Sequence, residues 1–184
     1  MEVVPLNKSH VAGAVALHRS SRPRCYRGKN ARAVLRSFYE AYANHDYTVG
    51  TAAVAEGEEI VAVVCGTTRP EAPAQWLKER RPWRSLAART FGGAAMATGG
   101  WPVEVLSRWV EEEKPVIFVL SAVWREDLGA DQVRKVFEYF GAASASRGAA
   151  LLCAPSLRPE EGWEELGYAS RREAGRVERY VKSI

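Results

Sequence analysis

The sequence predicts a single mixed α/β domain spanning all 184 residues. An apolar run from Pro115 to Val123 is followed by an amphipathic segment, Asp131–Arg147, and by a second apolar run, Ala149–Cys153. This strand–helix–strand order is typical of two parallel strands joined by a crossover helix. Pairs of short segments on either side of this unit are separated by turn residues and predict antiparallel hairpins. Parallel and antiparallel pairs together indicate one mixed sheet.

The first third of the chain predicts a strand, two helices and a hairpin. Asn7 or Ser9 can cap the first helix, and Asn30 can cap the second, in which apolar residues recur at helical spacing. The turn Glu56-Gly57-Glu58 separates the two strands of the hairpin. The predicted bounds are 2–6 for the first strand, 9–19 and 30–46 for the helices, and 47–55 and 59–68 for the hairpin strands.

Residues 69–113 predict a helical insert between the third and fourth strands. This segment holds four of the six tryptophans and two Gly-Gly pairs, and its helices are expected near 73–80, 85–97 and 103–113. Two interpretations of the tryptophans (Trp76, Trp83, Trp101 and Trp109) stay open. They form ordinary core, or the insert covers the acceptor side of the sheet or makes a homodimer contact.

The last third predicts strand, helix, strand, helix and a closing hairpin. Its order, added to the first two thirds, reads β-α-α-β-β, insert, β-α-β-α-β-β. The predicted bounds are Pro115–Val123, Asp131–Arg147, Ala149–Cys153, Glu160–Leu166, Tyr168–Arg172 and Arg176–Val181.

Composition and charge narrow the class of protein. The formal net charge is +4, and the arginines are spread along the chain. This charge is too small by itself to indicate nucleic-acid binding. Cys25, Cys65 and Cys153 have neither zinc-site spacing nor the pairing of a secreted disulfide scaffold, and they are typical of cytoplasmic thiols. The N-terminus lacks the pattern of a signal peptide, and no apolar stretch is long enough to cross a membrane. We therefore expect a cytoplasmic protein with no metal, no nucleic acid and no membrane partner.

The junction between the apolar run and the following helix predicts an anion site. A short polar loop after Val123 opens directly onto the helix, and the first N–H groups of a helix lack partners within it. These donors and the helix dipole both favour a phosphate-bearing ligand.

These residues resemble the acyl-CoA-binding half of the GNAT superfamily of N-acyltransferases. Ser121, Ala122 and Val123 match the end of the strand that precedes the CoA loop in that family. The loop itself is matched by Leu128, Gly129, Ala130, Asp131, Gln132 and Val133. The resemblance implies a mixed-sheet GNAT fold, acetyl-CoA or another acyl-CoA as co-substrate held by these nine residues, and direct acyl transfer to a small-molecule amine.

The CoA loop departs from the family pattern R-G-x-G-x-G/A. Its arginine and two of its three glycines are absent, and Asp131 places a carboxylate where a phosphate is expected. Asp131 either caps the helix through its side chain or turns the carboxylate toward solvent or a basic neighbour such as Arg134 or Arg125. The departures leave two alternatives open: a GNAT-fold protein that has lost CoA chemistry and serves as a binding or assembly subunit, or another reaction on the same scaffold.

The resemblance supplies no established proton donor. Trp163 stands where many members of the family have a tyrosine, and its indole is either core packing or a wall beside the CoA sulfur. Ser121 and Tyr168 are the candidate catalytic residues, with a structural hydroxyl bonded to backbone as the alternative for Ser121. The three histidines show no metal or triad spacing and are expected at the surface or at an interface.

A basic loop between the first two helices is the candidate acceptor contact. It lies where the family closes over the acceptor, and Arg24, Tyr26 and Arg27 within it can hold an acidic group on that substrate. A solvated polar loop is the alternative.

Overall fold

The computed structural model describes residues 1–21, 29–44, 46–69, 72, 108–109, 115–155, 162–173 and 176–184. These residues form one mixed seven-stranded sheet with helices on both faces. The strands are β1 (Glu2–Pro5), β2 (Thr48–Val54), β3 (Ile60–Thr67), β4 (Val116–Trp124), β5 (Leu151–Pro155), β6 (Ala169–Glu173) and β7 (Arg176–Ser183). The long helices among the described residues are α1 (Val11–Ser21), α2 (Lys29–Tyr42) and α3 (Ala130–Ala145).

The sheet order is β1-β2-β3-β4-β5-β7-β6, which makes β4 the central strand. Every neighbouring pair is antiparallel except β4 and β5, which α3 connects in parallel. The expected mixed α/β fold and both hairpins are confirmed. The pattern of the sequence did not indicate that β7 lies between β5 and β6.

Each face of the sheet has its own apolar cluster. Leu35, Phe38 and Tyr39 of α2 pack with Val15 of α1 and Phe118 of β4 on one face. On the other face, a second cluster unites α3 with the sheet and includes Val136, Phe137, Phe140, Ile117, Leu152 and Trp163. Because β3, β4 and β5 are buried on both faces, they are continuous apolar runs instead of alternating patterns.

Several element ends differ from the sequence prediction. A 3-10 turn over Lys8–His10 precedes α1, and the Asn7 side chain accepts the Ser9 N–H at 2.9 Å, so Asn7 is the capping residue of the two candidates. Helix α2 begins at Lys29, which places the predicted cap Asn30 inside its first turn. Residues 163–167, expected to complete a helix from Glu160 to Leu166, form turns instead.

The helical insert is described only at Ala72, Arg108 and Trp109, and all three are helical. Trp109 is buried on the α1/α2 face and stacks on Phe118 with ring centroids 6.3 Å apart, so it belongs to the core. Trp76, Trp83 and Trp101 lie outside the described residues, as do most of the predicted helices of this segment. None of the described helices is long and apolar enough to span a membrane.

A glycine in β3 lets β4 approach closely. A Cβ on Gly66 would lie 2.6 Å from the carbonyl oxygen of Phe118 and 2.8 Å from side-chain atoms of Ile117 and Phe140. The carbonyl belongs to the central strand, so it cannot move aside without distorting the ladder.

We therefore expect Gly66→Ala to lower the free energy of unfolding by about 1–3 kcal/mol through overpacking. The measurement is urea unfolding followed by tryptophan fluorescence. Gly141→Ala is the matched control: its new Cβ would meet Ile184 at an ordinary 3.4 Å. Alanine within a helix is favoured over glycine by about 0.5–1 kcal/mol, so this control should be neutral or stabilising. Equal unfolding midpoints for the two variants would contradict the close approach.

Candidate functional site

The parallel strands β4 and β5 separate after only three residue pairs. The pairs are Val116↔Leu151, Ile117↔Leu152 and Phe118↔Cys153. Beyond them β4 continues to Trp124 along β3, while β5 continues to Pro155 along β7. The two strands thus diverge into a wedge, and in its open part no ladder joins their facing backbone groups. The stretch of β4 from Leu120 to Val123 lies beyond the last pair, in the open part of the wedge.

A bulge in β4 lies at the start of the open part. Cys65 of β3 pairs with Ser121 and Gly66 pairs with Val119, which leaves Leu120 as the extra residue. Leu120 packs in the α1/α2 cluster, and Ser121 also reaches a side chain of α2. Ala122 and Trp124 then pack on the α3 side. The bulge therefore directs two consecutive side chains, Leu120 and Ser121, to the α1/α2 face.

Ser121 is joined to two buried side chains of the helical layer. Its Oγ lies 3.4 Å from the Tyr39 Oη, and the Tyr39 Oη lies 2.8 Å from the His18 Nδ1. Tyr39 is fully buried and His18 is 8% exposed, whereas Ser121 is half-buried at the wedge. The prediction of a surface His18 is wrong, because its position on the apolar face of α1 carries it into the core. Ser121 has no bond to backbone among the described residues, in contrast to the structural alternative.

The neighbouring thiol is unsuited to accept a proton. Cys65 lies beside Ser121 in the adjacent strand and is fully buried. Burial raises the pKa of the Cys65 thiol well above its ordinary value, because a thiolate there would lack solvation. The thiol stays neutral, and in the described part of the chain the polar groups in contact with one another on this face are the Ser121 and Tyr39 hydroxyls and the His18 imidazole.

The N-terminus of α3 follows directly from the end of β4. Among these loop amides, the Gly129 N–H donates to the Gln132 Oε1 at 3.0 Å, and the Gln132 and Val133 N–H groups donate to the Gly129 carbonyl. The N–H groups of Ala130 and Asp131 donate to no acceptor in the part of the chain that the structure describes. These two exposed donors stand at the positive end of a 16-residue helix.

Asp131 does not cap α3. Gly129 holds the N-cap position, and the Asp131 carboxylate turns outward, where the Arg134 Nη1 donates to it at 3.1 Å. The Asp131 side chain is 89% exposed, so this ion pair adds little stability. The capping interpretation of Asp131 is therefore wrong, and the carboxylate leaves the two unpaired N–H groups uncovered.

A second arginine of the loop is held by carboxylates. The Arg125 Nε donates to Asp127 at 2.6 Å and its Nη1 donates to Glu59 at 2.9 Å. The bond to Asp127 is the main cause that raises the pKa of the Arg125 guanidinium. Two guanidinium groups therefore flank the N-terminus of α3, Arg125 in the preceding loop and Arg134 in the helix, and both are in exposed ion pairs that an incoming anion can replace at small cost.

Aromatic side chains line the α3 side of the wedge. Trp163 packs edge-on against Phe137 at 5.6 Å and against Tyr168 at 5.1 Å. Both Trp163 and Tyr168 are buried, and their Nε1 and Oη atoms have no hydrogen-bond partner among the described residues. Burial, with a smaller contribution from Cys153, raises the pKa of the Tyr168 phenol far above its ordinary value. Tyr168 can therefore donate a hydrogen bond but holds its proton firmly.

The structure brings most of the predicted site residues to one end of the sheet. Ser121, Ala122 and Val123 line the open part of β4, and the loop 128–133 follows it. Arg24, Tyr26 and Arg27 lie outside the described residues. Helix α1 ends at this end of the sheet, because the Ser21 Oγ donates to the carbonyl of Trp124 at 3.3 Å. His18 and Tyr39 were missed as site residues, since their meeting with Ser121 depends on packing between distant segments.

A cavity of about 750 Å³ lies away from this site. It is lined by the end of β1, the end of α2, the start of β2, Tyr139 in the last turns of α3, and Arg147 just beyond that helix. The length of α3, about 24 Å, separates it from the wedge. No predicted site residue lines this cavity. Within the described ranges, no cluster of three potential metal ligands occurs.

Comparisons with known proteins identify the fold. No protein-family model matches the sequence, and no curated protein matches it. A GNAT-family acetyltransferase from Staphylococcus aureus Mu50 superposes with a TM-score of 0.61 at 6% identity over 99% of this chain and 98% of that one. An aminoglycoside 6'-N-acetyltransferase complexed with coenzyme A superposes with a TM-score of 0.59 at 13% identity over 100% and 97%. At such identities the likeness establishes the fold, and the chain has the GNAT acetyltransferase fold.

A third structure holds a bisubstrate analogue. It is AAC(6')-Iy in complex with CoA-S-monomethyl-acetylneamine, with a TM-score of 0.56 at 14% identity over 96% of this chain and 93% of that one. That protein binds the acyl carrier and the amine acceptor as one linked molecule.

The buried hydroxyl of Tyr168 generates a prediction about stability. We expect Tyr168→Phe to unfold at an equal or higher urea concentration at neutral pH, because it removes a hydroxyl that lacks a partner. Above about pH 10 the phenol loses its proton in the unfolded chain but keeps it in the folded chain. The free energy of unfolding of the wild type should therefore fall by about 1.4 kcal/mol per pH unit through this group, as at pH 11. The free energy of unfolding of Tyr168→Phe should fall less than that of the wild type over the same pH range.

Tyr139→Phe, which removes an exposed hydroxyl on α3, is the control for a change of tyrosine content. A Tyr168→Phe variant that is clearly less stable than the wild type at neutral pH would show that the hydroxyl has a partner.

Proposed function

We propose that this protein is an acyl-CoA-dependent N-acyltransferase of the GNAT superfamily, with acetyl-CoA as the simplest co-substrate and a small-molecule amine as acceptor. One observation carries the proposal: the open wedge between β4 and β5 ends at a helix N-terminus with two unpaired N–H groups. An extended chain with an anionic end fits such a path, because the strand edges supply hydrogen bonds along it and the helix supplies the anion site.

The path has the length and the chemistry of the CoA arm. From Val119 to Trp124 β4 extends about 17 Å, which suits an extended pantetheine arm. The backbone of Ser121, Ala122 and Val123 would bind its amides, and the unpaired N–H groups of Ala130 and Asp131 would face the pyrophosphate. Arg125 and Arg134 add positive charge beside the phosphates. The thioester would then lie near Phe118 and Cys153, where the strands begin to part.

The likeness to acetyltransferases supports the reaction class. Both the CoA complex and the bisubstrate complex belong to proteins of this fold that act on aminoglycoside amines. For this chain the acceptor is proposed only as a small amine, with Arg24, Tyr26 and Arg27 as its contacts and an acidic group as one recognition feature. A homodimer contact through residues 69–113 stays a proposal of the same kind, as does a cytoplasmic location.

A second candidate, a binding or assembly subunit without CoA chemistry, is favoured by one observation. Gln132 occupies the Gly129 N–H and Asp131 adds a negative charge, so the loop offers fewer donors and more repulsion than the family pattern.

Acetyl-CoA binding separates the two candidates. We expect acetyl-CoA to raise the melting temperature, because ligand at 100 times its dissociation constant adds about 2.7 kcal/mol to the stability of the folded state. Pantetheine, which carries no phosphate, is the control. It should raise the melting temperature less, because it lacks the phosphate groups that the helix N-terminus would bind. The release of CoA thiol from acetyl-CoA in the presence of each amine of a panel of small amines then measures acetyl transfer. No shift at millimolar acetyl-CoA would favour the binding subunit.

The loop carboxylate supplies a prediction about affinity. We expect Asp131→Gly to raise CoA affinity severalfold, because two unit charges about 4 Å apart in water-like surroundings repel by about 1 kcal/mol. Asp131→Asn should give most of this gain if charge matters more than the Cβ. Titration calorimetry measures both.

Glu138→Gln removes an exposed carboxylate two turns further along α3 and is the control for net charge. If Asp131→Gly binds CoA no better than Glu138→Gln, the phosphates do not lie at this helix end.

A further inference from the structure

We propose that Ser121, Tyr39 and His18 form a hydrogen-bonded relay that takes the proton from the acceptor ammonium group. The inference rests on the acyl transfer proposed above and names the groups of this chain that prepare the amine for attack. Ser121 is the catalytic residue of the relay, because it is half-buried in the open part of β4 whereas the other two residues are buried. Tyr39 and His18 are positioning residues, which act through Ser121.

The relay runs in one direction when His18 carries its hydrogen on Nε2. In the tautomer with hydrogen on Nε2, the His18 Nδ1 accepts the Tyr39 O–H at 2.8 Å. The Tyr39 oxygen can then accept the Ser121 O–H across 3.4 Å, a distance longer than a settled hydrogen bond. Such contacts commonly shorten when a substrate binds.

The position of Ser121 suits the acceptor nitrogen. It lies three residues beyond Phe118, the last residue of β4 that pairs with β5, and therefore within about 10 Å of the point where the strands part. The bulge at Leu120 turns its side chain to the α1/α2 face, away from the aromatic cluster of the α3 side. An amine that approaches from the α1/α2 face meets Ser121 before it reaches the thioester.

The packing of the two helices holds the relay in place. His18 and Tyr39 meet edge to face with ring centroids 5.9 Å apart, and Phe38 packs edge-on against Tyr39 at 5.2 Å. Both polar groups are therefore fixed in a nearly dry layer, where a hydrogen bond is stronger than in water. A histidine and a tyrosine buried at this depth are costly unless they are paired, and here they pair with each other.

The protons and electrons balance as follows. The ammonium group passes one proton to Ser121 Oγ, Ser121 passes its own to Tyr39 Oη, and Tyr39 passes its own to His18 Nδ1. The freed amine lone pair forms the N–C bond to the thioester carbonyl carbon, the C–S bond breaks, and its electron pair leaves on sulfur. A second proton from the amine nitrogen neutralises the thiolate. The imidazolium then returns one proton to solvent, so each turnover yields an amide, a thiol and one proton.

The test compares two kinds of amine. The first is the alkylamine that wild type acetylates fastest in the amine panel, which is protonated at neutral pH. The second is hydroxylamine, which is uncharged there and needs no relay before it attacks. Tyr39→Phe and Ser121→Ala should lower kcat with the alkylamine by about 100-fold, leave KM for acetyl-CoA unchanged, and change the hydroxylamine rate little once the reaction without protein is subtracted.

Tyr42→Phe is the matched control. Tyr42 lies three residues further along α2 and is equally buried, but its hydroxyl has no partner among the described residues. This variant should keep wild-type rates with both amines. His18→Gln can still accept the Tyr39 hydrogen bond but cannot take up the proton, so it should lose alkylamine activity as Tyr39→Phe does.

The outcomes separate the relay from the proposed acyl transfer. A wild type that neither binds acetyl-CoA nor releases thiol with any amine overturns the acyl transfer and the relay together. A wild type that turns over, beside a Tyr39→Phe that keeps its alkylamine rate or loses both rates equally, overturns the relay alone.

The histidine tautomer gives a check that needs no turnover. In protein labelled with ¹⁵N-histidine, assigned with His18→Gln, the nitrogen shifts should show His18 with hydrogen on Nε2, and Tyr39→Phe should shift the Nδ1 signal. Hydrogen on Nδ1 in the wild type would reverse the first link and overturn the relay.

Discussion

The extra residue in β4 is the constraint on which the site depends. Up to Val119 the strand alternates regularly, with Phe118 toward α2 and Ile117 toward α3. Leu120 interrupts this order, so every later side chain of β4 faces the side opposite to the one that simple alternation would give it. Gly66 makes the interruption possible, because only a residue without a Cβ fits against the Phe118 carbonyl. The separation from β5 begins at the same place, and the bulge and the wedge therefore occupy one stretch of backbone.

This arrangement places the contacting polar side chains on one face of β4, within an otherwise apolar cluster, and an aromatic cluster on the other. The α1/α2 face carries hydroxyls and an imidazole in contact, whereas the α3 face carries the aromatic cluster of Trp163, Tyr168 and Phe137. A thioester placed in the wedge would have proton exchange on one side and a dry wall on the other. Exclusion of water on the second side protects a thioester from hydrolysis, which an acyl-transfer site needs as much as it needs an activated amine.

The sequence predicted the elements well because most of them are strongly patterned. Helix α2 and the strands of the sheet were recognised from periodicity and turn residues, and the wedge residues on β4 were named from a family resemblance. The bulge was not predictable, because VIFVLSAVW is buried on both faces and has no alternation whose interruption could be seen. The contact of His18 with Tyr39 joins residues 21 positions apart on two helices, and their meeting with Ser121 spans 82 more. Only the packing of α1 and α2 on β4 brings these side chains together.

The loop before α3 shows why a changed motif is not equivalent to a lost site. The ligand-facing groups of such a loop are backbone N–H groups, and two of these are unpaired here because Gly129 at the N-cap has no side chain to accept them. The Asp131 carboxylate would block these N–H groups only if Asp131 were the N-cap residue. The N-cap is Gly129, so Asp131 is the second residue of the helix, and its side chain accepts a hydrogen bond from Arg134 instead. The exposed pair of Asp131 and Arg134 has little free energy to lose, so the guanidinium can move to an arriving phosphate while the carboxylate stays in solvent. Under the proposed function, Arg134 in the first turns of the helix would stand in for the arginine missing from the loop, against the repulsion that Asp131 retains.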